Sequence, residues 1–437
     1  MNDSIREIAQ GVREGRLDPV ELAYVAVCRA LETANLGAVV HLDADRARQA
    51  AEKVAREREG ALAGVPLLVK EIIPVAGMPY RCGSRVFADR VATADAEIVW
   101  RARAAGAVII GLSHTHEFAY GCTGTSNAEG PCRNPRDPAR ITGGSSSGSA
   151  AAVAAGVVPL ALGTDTAGSV RIPAALCGVV GAKPARHTLP LDGIFPLSPS
   201  LDHAGVLTRS VADARYAIEV LGGGGSGPPE PPAPPRLGVL TNPEPLDLAA
   251  EVAAAYDAAL GRLTDAGAEL VEVRLPEWSR FVTASLDLQR PEAAAVHAAT
   301  FPAQAFNYQP DVRERLEAAA DVPGWRYVLA HDLAATLTAE TGHVLSTVDA
   351  VVLPTVPISA PALLAAEAQV AGGWQSVRDL LLRNNRMANV TGHPAWSLPL
   401  PARGLPVGLQ LVAADDRRMF AVAEWVERVA GQREGEQ

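Results

Sequence analysis

The sequence predicts one α/β/α domain, in which helices cover a large mixed β-sheet. Two observations lead to this fold class. Short apolar runs bounded by glycine or proline recur along the chain, and stretches with helical periodicity separate them, an alternation that is typical of sheets covered by helices. In addition, 48% of the 437 residues are hydrophobic and 20% are charged, which is the composition of a globular chain with a sizeable core.

Six apolar runs are predicted to be buried strands, because each is short and ends at turn-forming residues. They are residues 65–69, 108–112, 157–162, 237–240, 350–353 and 407–412. Six longer stretches carry apolar residues at helical spacing and are predicted to be helices. They are residues 43–58, 94–105, 211–221, 248–266, 333–345 and 419–429. The alanine-rich run after Gly148 predicts a further helix that can pack closely.

One low-complexity segment interrupts this alternation. Residues 222–235 join a run of glycine to a run of proline, GGGGSGPPEPPAPP, and such segments form flexible or semi-rigid connections. A domain boundary and a long surface crossover both fit this composition. We favour the crossover, because the strand-like runs that follow are too few for a separate core. We therefore expect residues 1–437 to form one domain.

The charge, the cysteines and the N-terminus limit the partners and the cellular location that we expect for the protein. A net charge of −10 argues against nucleic acids and anionic membranes as partners, because both require a basic face. The five cysteines show neither a CxxC pair nor zinc-ribbon spacing, which predicts reduced thiols in a cytoplasmic protein. The polar N-terminus and the lack of 18 consecutive apolar residues predict neither a signal peptide nor a membrane span.

The most distinctive stretch runs from Thr142 to Pro184 and reads TGGSSSGSAAAVAAGVVPLALGTDTAGSVRIPAALCGVVGAKP. Its first part places hydroxyls and backbone N–H groups at the start of a helix, where negative charge is stabilised. Its second part turns at Gly168 after a predicted strand, so Ser169 can present its hydroxyl beside successive N–H groups. That arrangement suits an oxyanion hole. A serine placed there becomes a nucleophile once a base takes its proton.

The base must come from another part of the chain, because none of the nine histidines lies in this stretch. Lys70 ends the predicted strand 65–69, and burial lowers a lysine pKa from about 10.4 toward neutrality, where the amine accepts protons. The chain has only three lysines, which are Lys53, Lys70 and Lys183. We therefore predict Lys70 as the base.

These segments resemble the amidase-signature family, whose members hydrolyse or transfer amides with a Ser-cisSer-Lys triad. The resemblance rests on GVPLLVK, FAYGCTGTSNAEGPCRNPRDP, the glycine- and serine-rich stretch, FPLSPSLDHAG, LPTVPISAP and GLPVGLQLV, which together span nearly the whole chain. It implies the amidase-signature fold, a small amide as substrate, and no metal or organic cofactor. A homodimer is also an expectation.

By position, the resemblance implies that Lys70 is the catalytic lysine, Ser145 the bridging serine after a cis peptide bond, and Ser169 the nucleophile. Proton relay from Ser169 through Ser145 to neutral Lys70 would give an acyl-enzyme and release ammonia or an amine. Ser146 would orient Lys70 without contacting the substrate. The implied oxyanion donors are the backbone N–H groups of Thr166, Ala167, Gly168 and Ser169. The implied substrate-binding residues are Gly121, Cys122 and Thr123.

The chain departs from the family pattern at three positions. Glu71 stands where the family usually has aspartate, Ser147 replaces a frequent glycine, and Ala167 replaces the first glycine before the nucleophile. We expect Ala167 to alter substrate fit without abolishing activity, and Glu71 matters less if it is only a structural partner. The sequence assigns no role to Ser147. Asp165 and Arg171 are predicted to form a structural ion pair or loop anchor.

Three other interpretations stay open on the sequence alone. His114 and His116 follow a predicted strand, as zinc ligands of a metal-dependent amidohydrolase do. Ser146 fits the G-x-S-x-G pattern of an α/β-hydrolase, but that pattern needs a strand before it, and residues 134–140 are predicted to be a turn. The third alternative is the glutaminase-type A subunit of a tRNA-dependent amidotransferase, which shares the signature and passes ammonia to a partner.

Overall fold

Eleven strands form one mixed sheet in the computed structural model, which describes residues 4–224, 234–319, 321–402 and 404–431. The strands of the described residues are β1 (Val39–Leu42), β2 (Pro66–Lys70), β3 (Val108–Ser113), β4 (Arg133–Asn134), β5 (Asp137–Ile141), β6 (Leu160–Asp165), β7 (Val180–Lys183), β8 (His203–Thr208), β9 (Arg236–Leu240), β10 (Glu269–Val273), β11 (Ala350–Pro354), β12 (Glu367–Val370), β13 (Gly373–Ser376), β14 (Ala395–Leu400) and β15 (Val407–Val412). The order in the large sheet is β1-β3-β2-β6-β8-β7-β14-β15-β11-β9-β10. The pairs β4–β5 and β12–β13 form two separate hairpins.

Helices cover this sheet, as the sequence predicts. The α-helices of the described residues are α1 (Ile5–Arg13), α2 (Pro19–Glu32), α3 (Ala44–Glu57), α4 (Glu97–Ala104), α5 (Ser147–Ala154), α6 (Arg171–Cys177), α7 (Val211–Gly222), α8 (Ala250–Asp265), α9 (Trp278–His297), α10 (Pro310–Ala319), α11 (Gly324–Leu345), α12 (Val377–Arg383), α13 (Arg386–Thr391) and α14 (Asp416–Ala430). Short 3₁₀ helices lie at Ala34–Leu36, Arg85–Phe87, Glu117–Ala119, Glu244–Leu246 and Ala305–Asn307. Within the described ranges, no helix combines the length and the apolar character that crossing a membrane requires.

All six predicted strands and all six predicted helices are confirmed, and all but the strand at 407–412 have shifted ends. The strand predicted at 157–162 is β6, which begins at Leu160 and runs on to Asp165. Its polar last residues gave no strand signal. The helix predicted at 333–345 is α11, which already begins at Gly324. Helix α9 was missed because Pro291 lies inside it, and proline normally ends a helix.

The turn predicted at 134–140 is wrong in part, because residues 137–141 form β5. This strand pairs with β4 in a small hairpin, apart from the large sheet. An α/β-hydrolase elbow follows a strand of the main sheet, so β5 does not provide one. Most of the predicted crossover 222–235 lies outside the described residues, since 225–233 are not described. The strands on its two sides, β8 and β9, belong to the same sheet.

The sheet topology places the ends of several strands at one edge. Strands β2 and β6 are parallel neighbours, and β8 runs antiparallel to both β6 and β7. Strands β2, β6 and β7 therefore all end at the same edge. Parallel strands that end together bring their following residues close in space. The last residue of β2 is Lys70 and the last of β6 is Asp165.

Candidate active site

Lys70 is fully buried at the end of β2 and contacts two hydroxyl groups. Its Nζ lies 2.7 Å from Ser145 Oγ and 2.8 Å from Thr164 Oγ1. Ser145 belongs to the glycine- and serine-rich loop and Thr164 to β6. The predicted neighbours Lys70 and Ser145 are thus brought together across 75 residues of chain, whereas the sequence analysis missed Thr164.

Burial sets the protonation of this lysine. It lowers the pKa of Lys70 to about 7, although the negative charges of Asp165, Asp202 and Glu71 favour the ammonium form. Desolvation opposes charge in a buried group, and here it outweighs three carboxylates. A substantial fraction of Lys70 is therefore neutral near pH 7, and its lone pair is able to accept a proton.

The predicted cis peptide bond is present between Gly144 and Ser145. Glycine is required at Gly144, since a Cβ there would lie 2.9 Å from the backbone nitrogen of Gly124. The carbonyl oxygen of Ser145 accepts a hydrogen bond from the His116 N–H at 3.1 Å. The loop around residues 116–124 therefore packs directly on the bridging serine.

Ser169 lies in the turn between β6 and α6, with 6% of its surface exposed. The preceding Gly168 has φ +117°, and a Cβ there would lie 2.6 Å from Asn385 Cβ, so the turn demands glycine. The Ser146 N–H donates to the carbonyl oxygen of Ser169 at 3.1 Å. The turn and the serine loop are joined at the backbone, while Ser169 Oγ and Ser145 Oγ are not hydrogen bonded to each other in the described structure.

The predicted set of oxyanion donors needs one correction. The N–H of Gly168 donates to Asp165 Oδ1 at 2.7 Å, because the aspartate at the strand end caps the turn that follows it. This donor is already engaged. In the described part of the chain, the N–H groups of Thr166, Ala167 and Ser169 donate to no protein acceptor. These three are free to stabilise an oxyanion.

Asp165 and Arg171 form the predicted structural ion pair. The guanidinium reaches both carboxylate oxygens, with Nε 3.0 Å from Oδ2 and Nη2 2.9 Å from Oδ1, and both side chains are fully buried. Burial opposes ionisation of Asp165, but the charge of Arg171 holds the pKa of this carboxyl well below its usual range. Gln410 and Asn389 accept further hydrogen bonds from Arg171. The pair therefore fixes the turn and is fully satisfied.

In the described chain, Ser146 makes no hydrogen bond with Lys70. Its Oγ donates to the Thr164 carbonyl oxygen at 3.1 Å and accepts from the Thr164 N–H at 3.3 Å. Thr164 in turn contacts Lys70 through its hydroxyl. Ser146 is thus linked to the lysine through Thr164.

The second departure from the family pattern, Ser147, bonds to the histidine proposed as a zinc ligand. Ser147 Oγ lies 2.8 Å from His114 Nδ1, and the other ring nitrogen of His114 lies 2.9 Å from the Gly130 carbonyl oxygen. His116 instead points its Nε2 to Asp311 at 3.1 Å. In the ranges that the structure describes, no three or more His, Cys, Asp or Glu side chains are grouped to hold a metal ion.

Glu71 is buried next to Lys70 in the chain. Its Oε1 accepts hydrogen bonds from Asn127 Nδ2 at 2.7 Å and from the Thr115 N–H at 3.3 Å. Burial raises the pKa of Glu71 to about 7, and these hydrogen bonds oppose the shift. Glu71 therefore ties the end of β2 to the loop of residues 115–127.

The predicted substrate-binding residues lie on the loop that packs against the cis peptide. A Cβ at Gly121 would lie 2.1 Å from His116 Nε2, so the chain passes close to that ring. A Cβ at Gly144 would lie 3.4 Å from the carbonyl carbon of Cys122, and Thr123 bonds to Thr125 at 2.8 Å. Their contact with a substrate stays a prediction.

A small cavity lies beside Thr164, whose hydroxyl contacts Lys70. Its volume is about 130 Å³, which holds only a small group. Residues 121–123 do not line it. Its polar lining is Thr164, Thr166 and Asp202, and its other lining residues are Ile72, Ala119, Leu191, Ile194, Phe195, Pro196, Leu197 and Pro199.

Comparison with known proteins gives one consistent family. The sequence profile of the family described as Amidase matches residues 23–417. The chain is 35% identical to the 2-amino-5-chloromuconic acid deaminase of Comamonas testosteroni, covering 98% of this chain and 96% of that protein. It is 34% identical to the A subunit of the glutamyl-tRNA(Gln) amidotransferase of Anaeromyxobacter dehalogenans, again covering 98% and 96%. A solved structure described as an amidase shares 37% identity and a TM-score of 0.93, covering 98% of this chain and 99% of that one.

Proposed function

This chain belongs to the amidase family and hydrolyses amide C–N bonds, and from that premise we propose that Lys70, Ser145 and Ser169 carry out the reaction on a small amide. The contact between Lys70 Nζ and Ser145 Oγ at 2.7 Å, in a buried site, is the observation that carries the assignment. It pairs a weakly basic amine with a hydroxyl that can hand on a proton.

The first half of the reaction forms an acyl-enzyme. Neutral Lys70 takes the Ser145 proton as Ser145 takes the proton of Ser169, and Ser169 Oγ attacks the amide carbonyl carbon. The negative charge that develops on the carbonyl oxygen is stabilised by the free N–H groups of Thr166, Ala167 and Ser169. The C–N bond then breaks, and the proton stored on Lys70 returns through Ser145 to the departing nitrogen.

The second half releases the acid. Water attacks the acyl carbon, gives its proton to the same relay, and displaces Ser169 Oγ, which recovers a proton as the ester bond breaks. The products are a carboxylic acid and ammonia or an amine. Asp165 and Arg171 only hold the turn in place, since each is fully engaged by the other and by neighbouring amides.

A panel of small amides with ammonia detection tests this proposal. Wild type should release ammonia from at least one member, and Ser169→Ala and Ser145→Ala should each lower turnover by about 10³-fold or more. Arg313→Ala is a matched control, because Arg313 is an exposed residue of α10. Normal turnover in Ser169→Ala would remove Ser169 from the mechanism.

A second candidate is the A subunit of a tRNA-dependent amidotransferase, which is favoured by the 34% identical relative of that name. In that case glutamine is the amide, and the ammonia passes to a partner protein. Glutamine hydrolysis that appears only when partner proteins and tRNA are added would support this candidate. Hydrolysis of other amides by the isolated chain would support the first.

Two further expectations concern the setting of the protein. A cytoplasmic location is supported by the five cysteines, which are all free, because reduced thiols persist in the cytoplasm. The homodimer stays a prediction that sedimentation analysis tests.

A further inference from the structure

Arg386 is a buried cation to which the described residues offer no hydrogen-bond or ion-pair partner. It begins α13 with only 6% of its surface exposed, and within the described residues its guanidinium makes no hydrogen bond or ion pair. Buried charges in proteins are normally paired, because desolvation of a lone charge is unfavourable. The fully buried Arg171 shows the usual arrangement, with a carboxylate and two amide oxygens around its guanidinium. Arg386 therefore keeps its donors available for a ligand.

The backbone that carries this arginine lies against the nucleophile turn. Asn385 Cβ would lie 2.6 Å from a Cβ at Gly168, the residue before Ser169. One turn further along α13, Asn389 Nδ2 donates to the carbonyl oxygen of Asp165 at 2.7 Å. The start of α13 is thus fixed on both sides of the turn that presents Ser169.

The segment that carries Arg386 also reaches the loop that packs on the cis peptide. The Cys122 thiol donates to the carbonyl oxygen of Arg378 at 3.8 Å, and the Cys122 backbone lies against Gly144. Burial raises the pKa of the Cys122 thiol, and the charges of Arg378, Arg315 and Arg386 oppose that shift. The segment from Arg378 to Arg386 therefore contacts the loop that packs on the cis peptide at one end and the nucleophile turn at the other.

The charges around Arg386 also favour an anion. Burial lowers the pKa of Arg386 to about 10, with the positive charge of Arg378 next in effect and that of Arg290 also contributing, while Asp379 opposes them. Asp379 is 64% exposed and lies 3.8 Å from Arg378. Arg378 Nε is itself buried without a hydrogen-bond partner in the described chain. Three guanidinium groups therefore face one exposed carboxylate, which leaves a positive excess.

We propose that Arg386, assisted by Arg378, binds a carboxylate that the substrate carries away from its scissile amide. This inference rests on the proposed function, since it names the substrate class of the same site. The planar guanidinium matches a carboxylate with two parallel hydrogen bonds. Anchoring that end holds the amide carbon over Ser169. The substrates are thus monoamides of short dicarboxylic acids.

Binding without turnover is the first test. Ser169→Ala protein is titrated by calorimetry with malonamate, succinamate and glutaramate, and with the neutral propionamide, butyramide and valeramide. At least one acid amide should bind ten or more times more tightly than its neutral counterpart, and Arg386→Gln should weaken that binding on the order of 10²-fold. Equal binding of the acid and neutral sets would overturn the proposal.

Turnover is the second test, measured as the ratio of kcat/KM for each acid amide to that for its neutral counterpart. This ratio should exceed ten in wild type. In Arg386→Gln it should fall on the order of 10²-fold, through a higher KM for the acid amide. Arg386→Lys should keep part of the wild-type ratio. The control Arg313→Ala should keep the wild-type ratio. A ratio unchanged in Arg386→Gln, even with lower overall activity, assigns Arg386 a merely structural role and overturns the proposal.

The two proposals fail in different ways. If no amide releases ammonia, the proposed function is in doubt, while calorimetry still decides whether the site binds carboxylates. If Ser169-dependent hydrolysis is as efficient for neutral amides as for acid amides, the proposed function holds and the carboxylate site is refuted.

Discussion

Two lysines lie at the same edge of the sheet and differ in what they contact. Lys70 ends β2 and Lys183 ends β7, and both are fully buried. Burial lowers the pKa of both, in Lys183 with help from the charge of Arg171. Lys70 Nζ contacts two hydroxyls, whereas Lys183 Nζ donates to the carbonyl oxygens of Pro184 and His393 at 3.1 and 2.7 Å.

The comparison shows that burial alone does not make a lysine a general base. A hydroxyl can give up its proton and receive another, so a neutral lysine beside it has a proton to take. A backbone carbonyl only accepts hydrogen bonds. Lys183 therefore anchors β7 to His393, which lies two residues before β14, while Lys70 contacts the hydroxyls that the proposed relay requires.

The largest expected effect separates the two lysines directly. Lys70→Met should lower kcat by about 10³-fold or more, because the relay loses its base. Lys183→Met should keep kcat within about tenfold but lower the melting temperature, since two buried carbonyl oxygens lose their donor at a cost of about 1–3 kcal/mol. Ammonia release and thermal unfolding measure the two quantities. A loss of turnover in Lys183→Met at unchanged melting temperature would contradict the distinction.

The pH dependence sharpens the same comparison. Only neutral Lys70 accepts a proton, and its pKa is about 7, so kcat/KM should rise with pH and level off above that value. Below it the rate should fall about tenfold per pH unit. Lys183→Met should leave this ascending limb in place. If the ascending limb disappeared in Lys183→Met, the titration would belong to Lys183 and not to Lys70.

A smaller effect is expected at the second hydroxyl on Lys70. Thr164→Val removes an acceptor that stabilises the ammonium form, so the pKa of Lys70 should fall further and the ascending limb should move to lower pH. Turnover at high pH should drop by about tenfold, because the amine is less well oriented. Rate profiles against pH for both proteins measure the shift. Movement of the limb to higher pH would show that the contact favours the neutral amine.

The smallest effect is expected at Ala167, where the family commonly has glycine. Ala167→Gly keeps the backbone N–H, so kcat should stay within about threefold of wild type. The relative rates on short and longer acyl chains should change instead, because the side chain is removed beside the free donors. The amide panel measures this directly. A loss of turnover comparable with that in Lys70→Met would mean that the methyl group positions the turn.

Much of the fold and the centre of the site could be predicted because the signals are local. Apolar runs of a few residues indicate strands wherever they occur, and the strand that ends in Lys70 is one of them. Helix α9 was missed because Pro291 interrupts its pattern, and β6 was placed too early because its last residues are polar. Packing of α9 against α10, α11 and α13, and pairing of β6 with β2 and β8, outweigh local propensity in these places.

The sequence by itself determined the types of the proposed reacting groups, which are a lysine at a buried strand end, a serine after Gly144 and a serine after Gly168. Only the tertiary structure decided which groups meet. Thr164 reaches Lys70 across 94 residues of chain and Gln410 reaches Arg171 across 239. Within the described residues, it also left Arg386 without a partner. Such pairings depend on how strands align at one edge of the sheet, and no local pattern of residues encodes that alignment.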